Sequence, residues 1–160
     1  MKPIYLHSAV CISAQNSFAE GEMEALNTTA STVAAKHPAY RNYIPPAAAR
    51  RMAPAVKMGV VAANVALEKA QITQPDAILT GSGLGCMQDT EKFLNALLES
   101  NEQFVPPTAF IQSTHNTVGA QIALGLGCKA YNNTYVHGSL SFESALLDAS
   151  LLLEDKPDAK

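Results

Sequence analysis

The stretch 131–149, YNNTYVHGSLSFESALLDA, holds the residues best placed to do chemistry. It reads as a short strand, a tight turn at His137-Gly138 and a helix opening at Ser139 or Ser141. A strand that delivers a turn residue to a helix start presents it beside unpaired N–H groups and a positive partial charge. That is a good setting for a nucleophile, and cysteine or an activated serine is the usual occupant. Here the turn offers His137, Gly138 and Ser139, with no cysteine. An acyl transfer built on it would use His137 as base or nucleophile and Ser139 as acceptor, with helix N–H groups holding the oxyanion. No acidic residue stands close enough in sequence to orient His137. Glu143, about a turn and a half along, belongs to the first turn of the helix and complements its dipole.

Other reactive residue types point to structure. Gly81, Gly83 and Gly85 follow a short apolar run, but a dinucleotide fingerprint needs a third glycine where Cys86 stands. No acidic residue follows about 20 positions later to meet a ribose. These glycines are expected to let the backbone pass close to another element. His115 sits beside a helix start, where a satisfied polar role is expected. Cys11, Cys86 and Cys128 are too widely spaced for a zinc site or a disulfide framework, and buried free thiols are the expectation. Arg50-Arg51 reads as a solvated pair or an interface salt bridge.

The elements that position these residues follow from periodicity and punctuation. Residues 3–12, PIYLHSAVCI, have the β-branched and aromatic content of a strand. Residues 13–45 form a long connection with a short strand expected around 40–44. From Pro54, a residue suited to a first turn, Val56, Val60, Val61, Val65 and Leu67 recur at helical spacing up to residue 70. Residues 77–80 read as a buried strand. Residues 89–98 read as a helix capped by Asp89 or Thr90, with Phe93, Leu94, Leu97 and Leu98 inward. A short helical turn is expected over 109–112, then a helix from the Ser113–Asn116 stretch to Gly125 or Gly127. After the strand at 131–136, Phe142, Leu146, Leu147 and Leu151 are expected to form the core face of the last helix, which Asp155-Lys156-Pro157 closes. The order is α/β, with a largely parallel sheet covered by helices.

Length and composition fit one domain spanning 1–160, with 48% apolar and 16% charged residues and no tryptophan. So much apolar content with so little charge suits a chain that hides surface against a partner. A formal net charge of −3 argues against nucleic-acid binding. No apolar run has the length of a membrane span, and the N-terminus lacks the apolar core of a secretory signal, so a cytoplasmic location is expected.

Four segments, in order, resemble the N-terminal half of the β-ketoacyl-acyl carrier protein synthases of the thiolase-like superfamily. They are IPPAAARRMAPAVKMGVVAANVALEKA, DAILTGSGLGCMQDTEKFLNALLE, PPTAFIQSTHNTVGAQIALGLG and YNNTYVHGSLSFESALLDA. They run from Ile44 to Ala149, and residues 3–12 fit the family's first strand. The resemblance implies one of two similar α/β halves, the C-terminal half being absent from this sequence. It places the family's nucleophilic cysteine at the turn 136–139, where this chain has none. The paired histidines that stabilise the enolate belong to the other half.

The Arg50 stretch and the SFESALLDA helix make the chain look most like the chain-length factors. These are synthase relatives without the cysteine that pair with an active synthase in polyketide or aryl polyene pathways. The resemblance therefore implies a non-catalytic subunit in fatty acid, polyketide or aryl polyene biosynthesis. Its partners would be an active synthase, or a second copy, and acyl carrier protein. It needs no metal and no cofactor beyond the carrier's phosphopantetheine, which delivers the acyl group. His115, Asn116 and Thr117 on the inner helix, with Asn132, Tyr135, Val136 and Phe142, are expected to line the acyl tunnel or the dimer seam. His137, Gly138 and Ser139 mark the lost nucleophile's position. Residues 132–136 are expected to pair with their mates across a two-fold axis. An active synthase or acyltransferase with an atypical site, and a scaffold module of the same fold, are the alternatives.

Overall fold

The computed structural model describes residues 3–18, 25 and 31–160. Part of the expected long connection, including Gly21, lies outside the described residues. Where residues 40–44 suggest a short strand, the chain instead makes a 3-10 turn over Tyr40–Asn42, and Tyr43 and Ile44 both donate to the Tyr40 carbonyl. These local bonds occupy the carbonyl that a ladder would have used. A one-turn helix, α1 (Pro46–Ala49), leads into α2 (Pro54–Ala70). Pro54 stands in the first turn of α2, where its missing N–H costs nothing.

Two strands follow, β1 (Ala77–Gly81) and β2 (Tyr131–Tyr135), paired in parallel with Ala77 opposite Tyr131 and Gly81 opposite Tyr135. Between them lie α3 (Met87–Glu99), α4 (Pro107–Ser113) and α5 (Thr117–Leu126). Gly127, at φ 61°, closes α5 in the left-handed conformation, as a C-terminal glycine does. After β2 comes a 3-10 turn (Gly138–Leu140) and then α6 (Ser141–Asp155).

Strand alternation sorts the helices. Asn132 on β2 reaches one face, where its amide donates to the Gly119 carbonyl of α5 at 3.0 Å. Tyr131 and Tyr135 reach the other face, where both hydroxyls donate to Asp148 Oδ2 of α6, at 3.0 and 2.9 Å. The α5 and α6 helices thus cover opposite faces of the strand pair. The α2 helix lies on the outer side of α5, and the core runs through Val56, Val60 and Val61 of α2, Ile78 of β1 and Ile122 of α5. Gly81 lets α6 descend onto the sheet: a Cβ there would stand 2.6 Å from the Ser141 carbonyl oxygen.

Several sequence expectations are corrected. Residues 3–12 form no strand; Ile4, Tyr5 and Leu6 are exposed, and Ser8 Oγ donates to the Ala66 carbonyl of α2 at 2.6 Å. Strand propensity there is real, but a strand exists only through its ladder, and this stretch runs against a helix. The α3 helix begins two residues early, so Asp89 is buried in its first turn and does not cap it. Leu94 and Leu98 of α3 are exposed, so only Phe93 and Leu97 of the expected apolar set turn inward.

The last helix is inverted relative to its apolar pattern. Phe142, Leu146, Leu147 and Leu151 are 66, 54, 61 and 55% exposed, while Ser141 and Ala145 face the sheet. Small residues are what allow α6 to sit so close to Gly81. Of the cysteines, only Cys86 is buried; Cys128 is half-buried and Cys11 exposed.

Candidate functional site at the carboxyl ends of the strands

In parallel α/β architecture the loops leaving the carboxyl ends of adjacent strands converge, and ligands bind in the crevice they leave. Here those loops are residues 82–86 after β1 and 136–140 after β2. Ser82 N donates to the Tyr135 carbonyl at 3.0 Å, extending the pairing by one bond. Ser141 then ties the two loops together. Its hydroxyl lies 2.9 Å from the Ser82 carbonyl and 2.8 Å from that of Gly138, and it accepts from His137 N at 2.9 Å. Ser141 is 3% exposed, so these bonds are shielded from water. Gly138 adopts φ 60°, which the reversal after His137 requires and a side chain would resist.

The turn does not assemble a nucleophile. His137 Nδ1 pairs with Ser144 Oγ at 3.1 Å, and that hydroxyl lies 2.8 Å from the Leu140 carbonyl, which takes its proton. The imidazole is thereby the donor to Ser144, the reverse of what a general base needs. Ser139 is exposed, with no hydrogen-bond partner among the described residues. The Tyr135 ring meets the His137 ring edge-on at 5.8 Å, and the hydrogen bond to the Asp148 carboxylate pushes the Tyr135 phenol above its ordinary pKa. These contacts hold the turn against α6.

A cavity of about 790 Å³ opens beside the strand ends, within the range of small-molecule sites. The loop after β1 contributes Leu84, Cys86 and Met87, and Thr90 of α3 adds to that wall. Ser113, Thr114, His115 and Asn116, joining α4 to α5, form a second wall with Ala120. The third is Asn132, Asn133, Thr134 and Val136. Neighbouring strand residues point to opposite faces, so a cavity touching three in succession meets β2 along its edge. That edge, away from β1, has no paired strand among the described residues.

Of the seven residues expected at a tunnel or seam, His115, Asn116, Asn132 and Val136 line this cavity. Thr117 is buried instead, its hydroxyl donating to the Thr114 carbonyl at 2.7 Å. Tyr135 turns to α6, and Phe142 is exposed on α6. The turn His137-Gly138-Ser139 is outside the lining. Sequence reasoning missed Leu84, Cys86, Met87 and Thr90. The signal was present in the spaced glycines, since a Cβ on Gly85 would stand 2.7 Å from His115 Cβ and so that loop is drawn against the α4–α5 link.

Cys86 is the one thiol at the cavity. Burial pushes its pKa up, partly offset by hydrogen bonds from the Thr117 hydroxyl and the Val118 amide. It is therefore a protonated thiol at neutral pH. No group of three or more His, Cys, Asp or Glu side chains stands together as a metal site among the described residues.

Residues 21–159 match the family model described as beta-ketoacyl synthase, N-terminal domain. No curated protein matches. Among solved structures, the chain is similar to one chain of a ketosynthase (ApeO) in complex with its chain length factor (ApeC) from Xenorhabdus doucetiae. The two are 23% identical with a TM-score of 0.62, over 71% of this chain and 45% of that one. The chain thus spans less than half the length of the protein it resembles, and the likeness is one of fold. With the family model covering most of its residues, the chain belongs to the β-ketoacyl synthase N-terminal domain family.

Proposed function

We propose that this chain is a non-catalytic, chain-length-factor-like subunit that pairs with an active β-ketoacyl synthase. It shapes the space for an acyl chain brought by acyl carrier protein in fatty acid, polyketide or aryl polyene synthesis. The carrying observation is the occupant of the turn after β2. Val136-His137-Gly138-Ser139 has the strand, turn and helix of a nucleophile site, without the thiol and with its imidazole already donating to Ser144. A thioester has nothing to form on there.

The proposed role is steric. The cavity lies along the free edge of β2, so a partner strand added to that edge would close it into a tunnel shared by two subunits. The apolar stripe of α6 supports a further body on the opposite face. Four large side chains more than half exposed on one helix are an unfavourable surface unless covered. A second α/β half, on the same polypeptide or on a partner, fits that face. The subunit would work in the cytoplasm, where acyl carrier protein is found.

Incubation with radiolabelled acyl-carrier substrates tests the reading. No label is expected on this chain, alone or mixed with an active synthase, and the synthase is expected to copurify with it. A covalent adduct lost on changing His137 or Ser139 would overturn the non-catalytic assignment.

A further inference from the structure

The cavity wall looks polar by composition, but most of its hydroxyl protons are already committed to the chain itself. Thr90 Oγ1 lies 3.0 Å from the Cys86 carbonyl and 2.8 Å from that of Ser113. Ser113 Oγ donates to Phe110 and Thr114 Oγ1 to Ile111, at 2.8 and 3.0 Å. Such residues present carbon to a ligand, because their donors point inward. His115 and Asn116 differ: neither side chain has a hydrogen-bond partner among the described residues, and both are exposed and line the cavity.

Two features make this pair more than solvated surface. Asn116 occupies the N-cap of α5, where an asparagine side chain ordinarily bonds the helix N–H groups, yet here it makes no cap bond. Its amide is thereby left for the cavity. His115 is fixed from behind, with its Cβ against the position a Cβ on Gly85 would take. A held imidazole N–H and a spare amide N–H₂, side by side in an otherwise donor-poor wall, suit an acceptor oxygen within the ligand. A saturated chain laid there would leave both groups desolvated and unpaired.

Resting on the acyl-chain reading above, we propose that His115 and Asn116 form a carbonyl-recognition pair, so that the cavity takes a 3-oxoacyl chain in preference to a saturated chain of the same length. The recognised feature is the ketone oxygen beyond the thioester.

Titration calorimetry of the full chain with 3-oxooctanoyl- and octanoyl-pantetheine amides tests this, the amides being stable stand-ins for thioesters. The 3-oxo amide is expected to bind about tenfold tighter, about 1.4 kcal/mol. The variant His115→Ala/Asn116→Leu is expected to bind both equally, while Met87→Leu, on the apolar wall, keeps the preference. Equal or tighter binding of octanoyl amide by the unmodified chain would overturn the recognition pair and leave the acyl-chain reading standing. So would a preference that survives the double change. Failure of both amides to bind would overturn the acyl-chain reading with it. Because the unmodified chain alone decides the preference, a poorly folding variant does not protect the proposal.

Discussion

At the residue scale, Ser141 matters more than its type suggests. A serine opening a helix reads as a cap, but its hydroxyl instead joins the loop after β1 to the turn after β2 from a buried position. Ser141→Ala removes a hydroxyl that two carbonyls and one amide share. We expect a loss of about 1–3 kcal/mol, read as a lower urea midpoint with an unchanged slope. The cysteines give a second residue-scale prediction. A thiol reagent at neutral pH is expected to modify Cys11 first, Cys128 next and Cys86 last, as peptide mapping would show. Burial raises the Cys86 pKa in the folded chain. Above the unfolded thiol's pKa of about 8.5 the unfolded state loses a proton that the folded state keeps, so stability falls as pH rises through that value. Cys86→Ala is expected to flatten that alkaline decline in denaturation curves recorded at successive pH values.

At the element scale, the closeness of α6 to β1 decides which side of the helix is buried. Gly81→Ala sets a methyl group against the Ser141 backbone, which has no flexible end to move aside. We expect about 1–3 kcal/mol of destabilisation from the resulting strain. Gly125 is the control, since a Cβ there meets nothing within 4 Å. Gly125→Ala, inside α5, is expected to stabilise by about 0.5–1 kcal/mol. Opposite shifts in melting temperature for the two changes would bear out the packing; equal shifts would not.

At the scale of the whole molecule, the described residues bury a core on the α5 side of the sheet and leave the outer stripe of α6 uncovered. This asymmetry is the physical form of the high apolar content. Leu146→Glu/Leu147→Glu on α6 is expected to leave the chain's own melting temperature nearly unchanged. It should abolish assembly with a synthase partner or a second copy, read by light scattering after size exclusion. Retained assembly would show that this stripe is not a docking face.

The sequence by itself determined the elements whose signals are local. Pro54 and the valines after it placed α2, Gly127 placed the end of α5, and the apolar run before Gly81 placed β1. It also determined that no cysteine stands at the turn after β2, because that needs only the order of residues. Tertiary structure decided the rest, and for one reason: burial and pairing are properties of neighbours. Residues 3–12 have strand composition but lie along α2. Phe142, Leu146, Leu147 and Leu151 form a clear stripe, yet periodicity cannot say whether this chain or another body covers it. His115 and Asn132 lie far apart in sequence and meet at one cavity because parallel strands bring their carboxyl-end loops together.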